Sequence, residues 1–212
     1  VMVRDISPGL GGSNDEPNPY IIPLVSSLAN ANGTLFFWAY DPTNGTELWK
    51  SDGTEAGTMV VRDINITSEP LDGSCPYYLT NINNMLFFRA FNGEKDGLWK
   101  SDGTETGTVS LKDFYAIWNG WPPEYRVGLM NVNGTLFFFA EDGTKGTELW
   151  KSNGTETGTV LVKDIDAAWG SYPSNLTNVN GTLFFSATDG EHGRELWKSD
   201  GTDAETVMVK DI

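Results

Sequence analysis

Acidic side chains recur at regular intervals along this chain of 212 residues. Asp41 and Glu47 open and close one short segment, Asp142 and Glu148 a second, Asp189 and Glu195 a third; Asp63, Asp113 and Asp164 stand near the ends of RDI, KDF and KDI runs. Oxygen-rich groups of this kind suit Ca²⁺, a hard cation that collects carboxylate and carbonyl ligands. The spacing is not that of an EF-hand loop, and the matching segment of the second copy carries Asn92 and Gly97 instead. Paired carboxylates also serve polysaccharide hydrolysis. Here they recur in register with a longer repeat, which points to architecture.

The second group with chemical potential is aromatic. Tyr20, Tyr77, Tyr78, Trp118, Trp121, Trp169 and Tyr172, together with Tyr115 and Tyr125, fall in four stretches that differ in length and content. Aromatic faces beside Asn and Asp provide stacking for a sugar ring and hydrogen bonds for its hydroxyls. The same residues could anchor a protein partner, or close gaps between packed elements.

Little else is reactive. His192 is the single histidine and Cys75 the single cysteine, so no intrachain disulfide, cysteine-based zinc site or histidine cluster is available. No phosphate-binding glycine loop or Ser/His/Asp arrangement is legible. From the sequence the chain is expected not to be an enzyme. A net charge of −15 argues against nucleic acid and anionic membranes, which demand clustered Lys and Arg. No apolar run is long enough for a membrane span.

The elements that position these residues follow from self-similarity. The segment ELWKSDGTEAGT at 47–58 returns as GLWKSDGTETGT at 97–108, ELWKSNGTETGT at 148–159 and ELWKSDGTDAET at 195–206. Trp49, Trp99, Trp150 and Trp197 are separated by 50, 51 and 47 residues. TLFFWAY (34–40), MLFFRAF (85–91), TLFFFAE (135–141) and TLFFSAT (182–188) keep nearly the same period, as do MVVRDI, VSLKDF, VLVKDI and VMVKDI. Each unit thus holds short runs rich in aromatic and β-branched residues, separated by Gly, Asn and Asp, which read as strands. Asn32-Gly33, Asn133-Gly134 and Asn180-Gly181 predict type I′ hairpins, and Asn83-Asn84 takes the same place in the second unit. The LFF runs are apolar at consecutive positions, so both faces of each sheet should be covered. A β-propeller of four-stranded antiparallel meanders satisfies this; a β-sandwich does not explain the strict period.

Those motifs resemble the ELWxxDGT-repeat family of large, apparently secreted bacterial proteins, and the resemblance covers essentially the whole chain. It implies a propeller-like repeat architecture and little established chemistry. The departures are Gly97 for Glu, Asn153 for Asp and Glu205 for the closing Gly.

The resulting expectation is an all-β propeller forming one repeat domain over 1–212, with repeats near 7–64, 65–114, 115–165 and 166–212. Residues 1–6 duplicate the last strand, so the chain reads as a mature or excised piece. The expected function is an extracellular, secreted or cell-surface scaffold or adhesion module, its variable loop face binding carbohydrate or protein and calcium its one conceivable cofactor. The alternatives are a polysaccharide-active hydrolase and a purely structural calcium-stabilised repeat. Self-association is expected through the terminal segments, from Val1 to Ile6 and from Val207 to Ile212.

Overall fold

The computed structural model describes residues 2–6, 25–66, 73–115 and 128–212. Among these the chain is all β, with no helix and four antiparallel four-stranded sheets. Each sheet is a meander drawn from one stretch of chain. The first contains β1 (Val25–Ala31), β2 (Thr34–Asp41), β3 (Gly45–Ser51) and β4 (Met59–Arg62). The second contains β5 (Tyr77–Ile82), β6 (Met85–Phe91), β7 (Asp96–Ser101) and β8 (Val109–Phe114). The third has β9 (Met130–Val132), β10 (Thr135–Glu141), β11 (Thr147–Ser152) and β12 (Val160–Lys163). The fourth has β13 (Ser174–Val179), β14 (Thr182–Thr188), β15 (Arg194–Ser199) and β16 (Val207–Lys210).

The turns form as the residue types require. Asn32 and Gly33, Asn133 and Gly134, and Asn180 and Gly181 all have positive φ, as do Asn83 and Asn84. That is the pattern of the hairpin turn whose twist matches the strands. The Asn two residues ahead of each turn adds a bond: Asn30, Asn81, Asn131 and Asn178 accept from the backbone N–H three residues on.

The loop between the third and fourth strands accounts for the repeated KSDGTxxGT. Asp52 Oδ1 accepts from both the backbone N and Oγ1 of Thr54, Thr54 Oγ1 accepts from Gly57 N, and Thr58 Oγ1 donates to Thr54 O. Ser51 and Thr58 close the base through a buried hydroxyl pair at 2.7 Å. Ser101/Thr108, Ser152/Thr159 and Ser199/Thr206 repeat that pair. Asn153 substitutes for Asp because its Oδ1 accepts the same two bonds. A Cβ at Gly57, Gly107 or Gly158 would stand 2.0 Å from the Asp or Asn oxygen. Glu205 occupies that position in the fourth loop, and its N–H reaches Thr202 Oγ1 at 3.2 Å, against 2.9 Å for Gly57. The polar atoms of these loops are thus consumed in holding the turn.

The chain divides into two compact units, Val1–Glu94 with Trp99–Val109, and Lys95–Leu98 with Ser110–Ile212. In the first, Phe36, Leu48 and Val61 of the first sheet, with Ile64 just beyond β4, pack against Leu86, Phe88, Ala90 and Trp99 of the second. In the second unit, Phe137, Leu149 and Val162 of the third sheet pack in the same way against Leu183, Phe185, Ala187 and Trp197 of the fourth. Consecutive residues of the LFF strands are buried on opposite faces of their sheets, as at Phe36 and Phe37 or Phe137 and Phe138.

Polar side chains tie successive repeats at the same places. Lys50 Nζ donates to Gly103 O and Lys151 Nζ to Gly201 O, both at 2.7 Å. Arg62 lies over the Trp99 ring and donates to Thr108 O, and Lys112 lies over Trp150. The indole Nε1 atoms of all four repeat tryptophans are buried without an acceptor. Packing and the cations stacked on three of the rings hold them instead.

Residues 2–6 form no strand among the described residues, yet Arg4 stacks on Trp49 and donates to Thr58 O. It does for the first repeat what Arg62 does for the second. The sequence duplication therefore reflects a shared contact rather than a shared strand; Val1 lies outside the described residues.

Candidate functional site

In a meander, the hairpin between the second and third strands and the connection to the next repeat share one end of the sheet. The candidate carboxylates lie at this end, and most are occupied by neighbouring donors. Asp41 accepts from Thr43 N, Asn44 N and Asn44 Nδ2. Asp142 takes the N–H and hydroxyl of Thr144 and the N–H of Lys145. Although burial pulls its carboxyl up, these bonds hold Asp142 below the ordinary range. Asp164 pairs with Lys145 at 2.6 Å. Asp189 binds the backbone and ring of His192, which holds its carboxyl down at about 2 and raises the imidazole. Asp113 accepts from Ser110. Partial burial and the charge of Asp41 push Asp63 up.

Glu47 and Glu148 serve a purpose that sequence reasoning did not assign. Both are fully buried. Glu47 accepts from Ser74 N at 2.7 Å, Ser74 Oγ at 2.5 Å and Ile64 N at 3.2 Å. Glu148 accepts from Ser171 N, Ser171 Oγ, Ile165 N and Asp166 N. Each carboxyl thus fastens the connection leaving its repeat. Burial pushes both up to about 7, against the pull of the donated hydrogen bonds. Glu195 keeps part of the pattern by accepting from Ile212 N at 3.0 Å.

Glu47 and Glu148 were expected as candidate calcium ligands; here both carboxyls are engaged by buried donors, several of which a cation would have to displace. Among the described residues no group of three or more acidic, histidine or cysteine side chains is gathered as a metal site.

The signal for the clamp was present in the sequence. The connections read as variable share Gly73-Ser74-Cys75-Pro76 and Gly170-Ser171-Tyr172-Pro173. In both, the residue after Ser has positive φ, 46° at Cys75 and 44° at Tyr172. The backbones also hydrogen-bond alike, Cys75 N to Thr46 O and Tyr172 N to Thr147 O.

The aromatic candidates divide. Tyr20, Trp118 and Trp121 lie outside the described residues. Tyr77 and Tyr78 are half-buried and pack edge to face at 4.9 Å, which suits a structural contact. Trp169 is 78% exposed and Tyr172 36% exposed, with Arg194 Nη1 bonded to Tyr172 O.

Tyr115, at 58% exposure, lies against the hairpin of the third repeat, where a Cβ on Gly143 would be 2.2 Å from its ring. At the other end of that hairpin, a Cβ on Gly146 would stand 2.7 Å from Trp169 O and 2.8 Å from Gly170 Cα. Within this unit, the Tyr115 ring at one end and the backbone of the exposed Trp169 at the other therefore flank a hairpin bearing Asp142 and the Lys145–Asp164 pair.

No family model and no curated protein matches the chain. Among solved structures it is similar to a puromycin-hydrolyzing peptidase of Mycobacterium tuberculosis, with TM-score 0.51, 14% identity, and 88% of this chain and 29% of that one covered. An exo-β-1,3-galactanase of Phanerochaete chrysosporium matches at TM-score 0.41 and 10% identity, covering 88% of this chain and 49% of that one. An α-L-arabinofuranosidase of Clostridium thermocellum matches at TM-score 0.30 and 16% identity, covering 87% and 72%. The chain spans under a third of the peptidase, and the likeness to it concerns the fold.

The expectation that the chain is not an enzyme is withdrawn, because a solved structure sharing this fold is a hydrolase. At 14% identity that likeness shows the fold alone. No helix of the described residues is long and apolar enough to cross a membrane.

Proposed function

We propose that the repeats are blades of a β-propeller of the ELWxxDGT kind, belonging to an extracellular scaffold or adhesion protein, and that the hairpin-and-connection end contacts carbohydrate. The blade reading is supported by meander sheets that pack face to face within each unit, first on second and third on fourth. The carbohydrate reading rests on one observation, the exposed Tyr115 ring against one end of the Asp142–Gly146 hairpin with the exposed Trp169 adjoining the other end through its backbone. Aromatic planes supply stacking for the apolar face of a sugar, and the adjoining Asp142, Lys145 and Asp164 supply donors and acceptors for hydroxyls. Galactanase and arabinofuranosidase neighbours add no weight, since their likeness is too distant to carry an argument.

A glycan-array screen tests the proposal, with each hit titrated calorimetrically against the wild type and Trp169→Ala and Tyr115→Ala variants. Both rings are largely exposed, so the variants should fold. The expected result is a hit weakened about tenfold or more by either change, the scale of one lost stacking contact. Absence of any hit, or a hit indifferent to both changes, overturns it. Each hit should also be assayed for released reducing ends, which separates a binding module from a hydrolase.

A further inference from the structure

The exposed Trp169 stands in a connection, residues 165–171, whose two ends converge on one buried carboxyl. Glu148 takes the backbone N–H groups of Ile165 and Asp166 where that connection begins, and the N–H and hydroxyl of Ser171 where it ends. A second buried acid closes the segment between. Asp166 Oδ1 accepts from Ala168 N and Trp169 N, and Asp166 O accepts from Gly170 N. With Tyr172 N bonded to Thr147 O, every backbone N–H from 168 to 172 has an acceptor.

The hairpin holds the connection from its other side. A Cβ on Gly170 would stand 2.6 Å from Thr147 N, and one on Gly146 would stand 2.7 Å from Trp169 O, so the two segments touch backbone to backbone. Surface loops ordinarily keep some freedom. This one has its ends on one carboxyl, its middle on another and its flank on the hairpin. Trp169 is left with little beyond its two side-chain torsions.

We propose that Glu148 is a positioning residue of the carbohydrate site, holding the connection so that Trp169 is presented to a sugar before the sugar arrives. Resting on the carbohydrate reading, this role names what keeps the stacking ring in place. Fixing a contact group in advance avoids ordering it at the moment of binding. Glu148 is fully buried and acts only through the connection. Glutamine cannot replace it. Oε1 takes Ser171 N and Oε2 takes Ile165 N, so an amide nitrogen would face a backbone donor in either orientation.

Two measurements on the whole chain test the role, using Glu148→Gln and the milder Ser171→Ala, which removes one donor. The first is hydrogen exchange without ligand. Amides of residues 165–171 should exchange about tenfold faster or more in both variants, while β10 and β11 stay protected. The second is calorimetric titration of the strongest soluble glycan from the array screen. Both variants should weaken it several-fold, up to the about tenfold that Trp169→Ala loses. In a Trp169→Ala background, Glu148→Gln should weaken binding no further, because its effect runs through that residue. Glu47→Gln breaks the matching clamp in the other unit and should leave glycan affinity unchanged. Should Glu148→Gln fail to fold, Ser171→Ala carries the same comparisons. A glycan that requires Trp169 but binds the clamp variants as well as the wild type overturns the positioning role and leaves the carbohydrate reading standing. Additive losses from Glu148→Gln and Trp169→Ala, or unchanged exchange in both clamp variants, do the same. A screen with no glycan dependent on Trp169 overturns both.

Discussion

The packing between repeats can be isolated by one substitution made at two equivalent glycines. Gly53 and Gly103 have nearly identical backbones, with φ of 90° and 89°, and lie in the same compact unit. Alanine at either site is forced into a conformation that costs an L-residue about 1–2 kcal/mol. At residue 53 nothing further opposes the new methyl group, which points into open space. At residue 103 the methyl stands 3.1 Å from Phe36 Cζ and 3.5 Å from Cε1. Phe36 is fully buried, so its ring has little room to retreat. Overpacking of this kind adds about 1–3 kcal/mol.

The strain is common to both variants and cancels in their difference. Gly103→Ala should therefore destabilise the unit by about 1–3 kcal/mol more than Gly53→Ala, measured as the shift of the urea midpoint at constant slope. Phe36→Leu in the Gly103→Ala background should recover part of that excess. Equal costs at the two glycines, or no coupling to Phe36, would refute the reasoning that one repeat's Phe packs on the next repeat's loop.

Three further outcomes follow from the geometry. Glu47 and Glu148 have folded-state pKa values of about 7 against an ordinary 4.5. Their contribution to stability is therefore fully present below pH 4.5 and lost as pH rises through 7, on the order of 3 kcal/mol for each group. Melting temperatures from pH 4.5 to 8 should fall less steeply for the Glu47→Gln, Glu148→Gln double variant than for the wild type; an unchanged slope would count against the assignment. Arg62→Ala removes both a cation over Trp99 and a bond to Thr108 O, and should cost about 1–2 kcal/mol, with Arg62→Lys recovering part of it. Millimolar Ca²⁺ should leave the melting temperature unmoved from its value in excess chelator, because the hairpin carboxylates already accept hydrogen bonds from their own loops. A rise would indicate a cation held by Asp41 and Asp63, whose charges raise the Asp63 pKa together with burial.

Local order was written plainly in the residues. Asn-Gly at the hairpins, Ser, Asp and Thr in the loops and the period of the LFF and ELW runs define where strands begin, turn and end, because each depends on conformational preference and hydrogen bonds within about ten residues of chain. The two-sided burial of the LFF strands was legible for the same reason: consecutive apolar residues cannot all face one side of a sheet. What those faces meet was not. Leu48 and Leu196 occupy the same position of the same motif, yet one is fully buried and the other 40% exposed, since burial depends on whether another repeat stands beyond it. The acids behaved likewise. Glu47 and Asp41 read from the sequence as equal oxygen donors, but only folding placed Ser74 and its backbone N–H against the first, spending that carboxyl inside the protein. Partners separated by tens of residues in sequence leave no local preference to read, and only the packed chain decides between a ligand and a clamp.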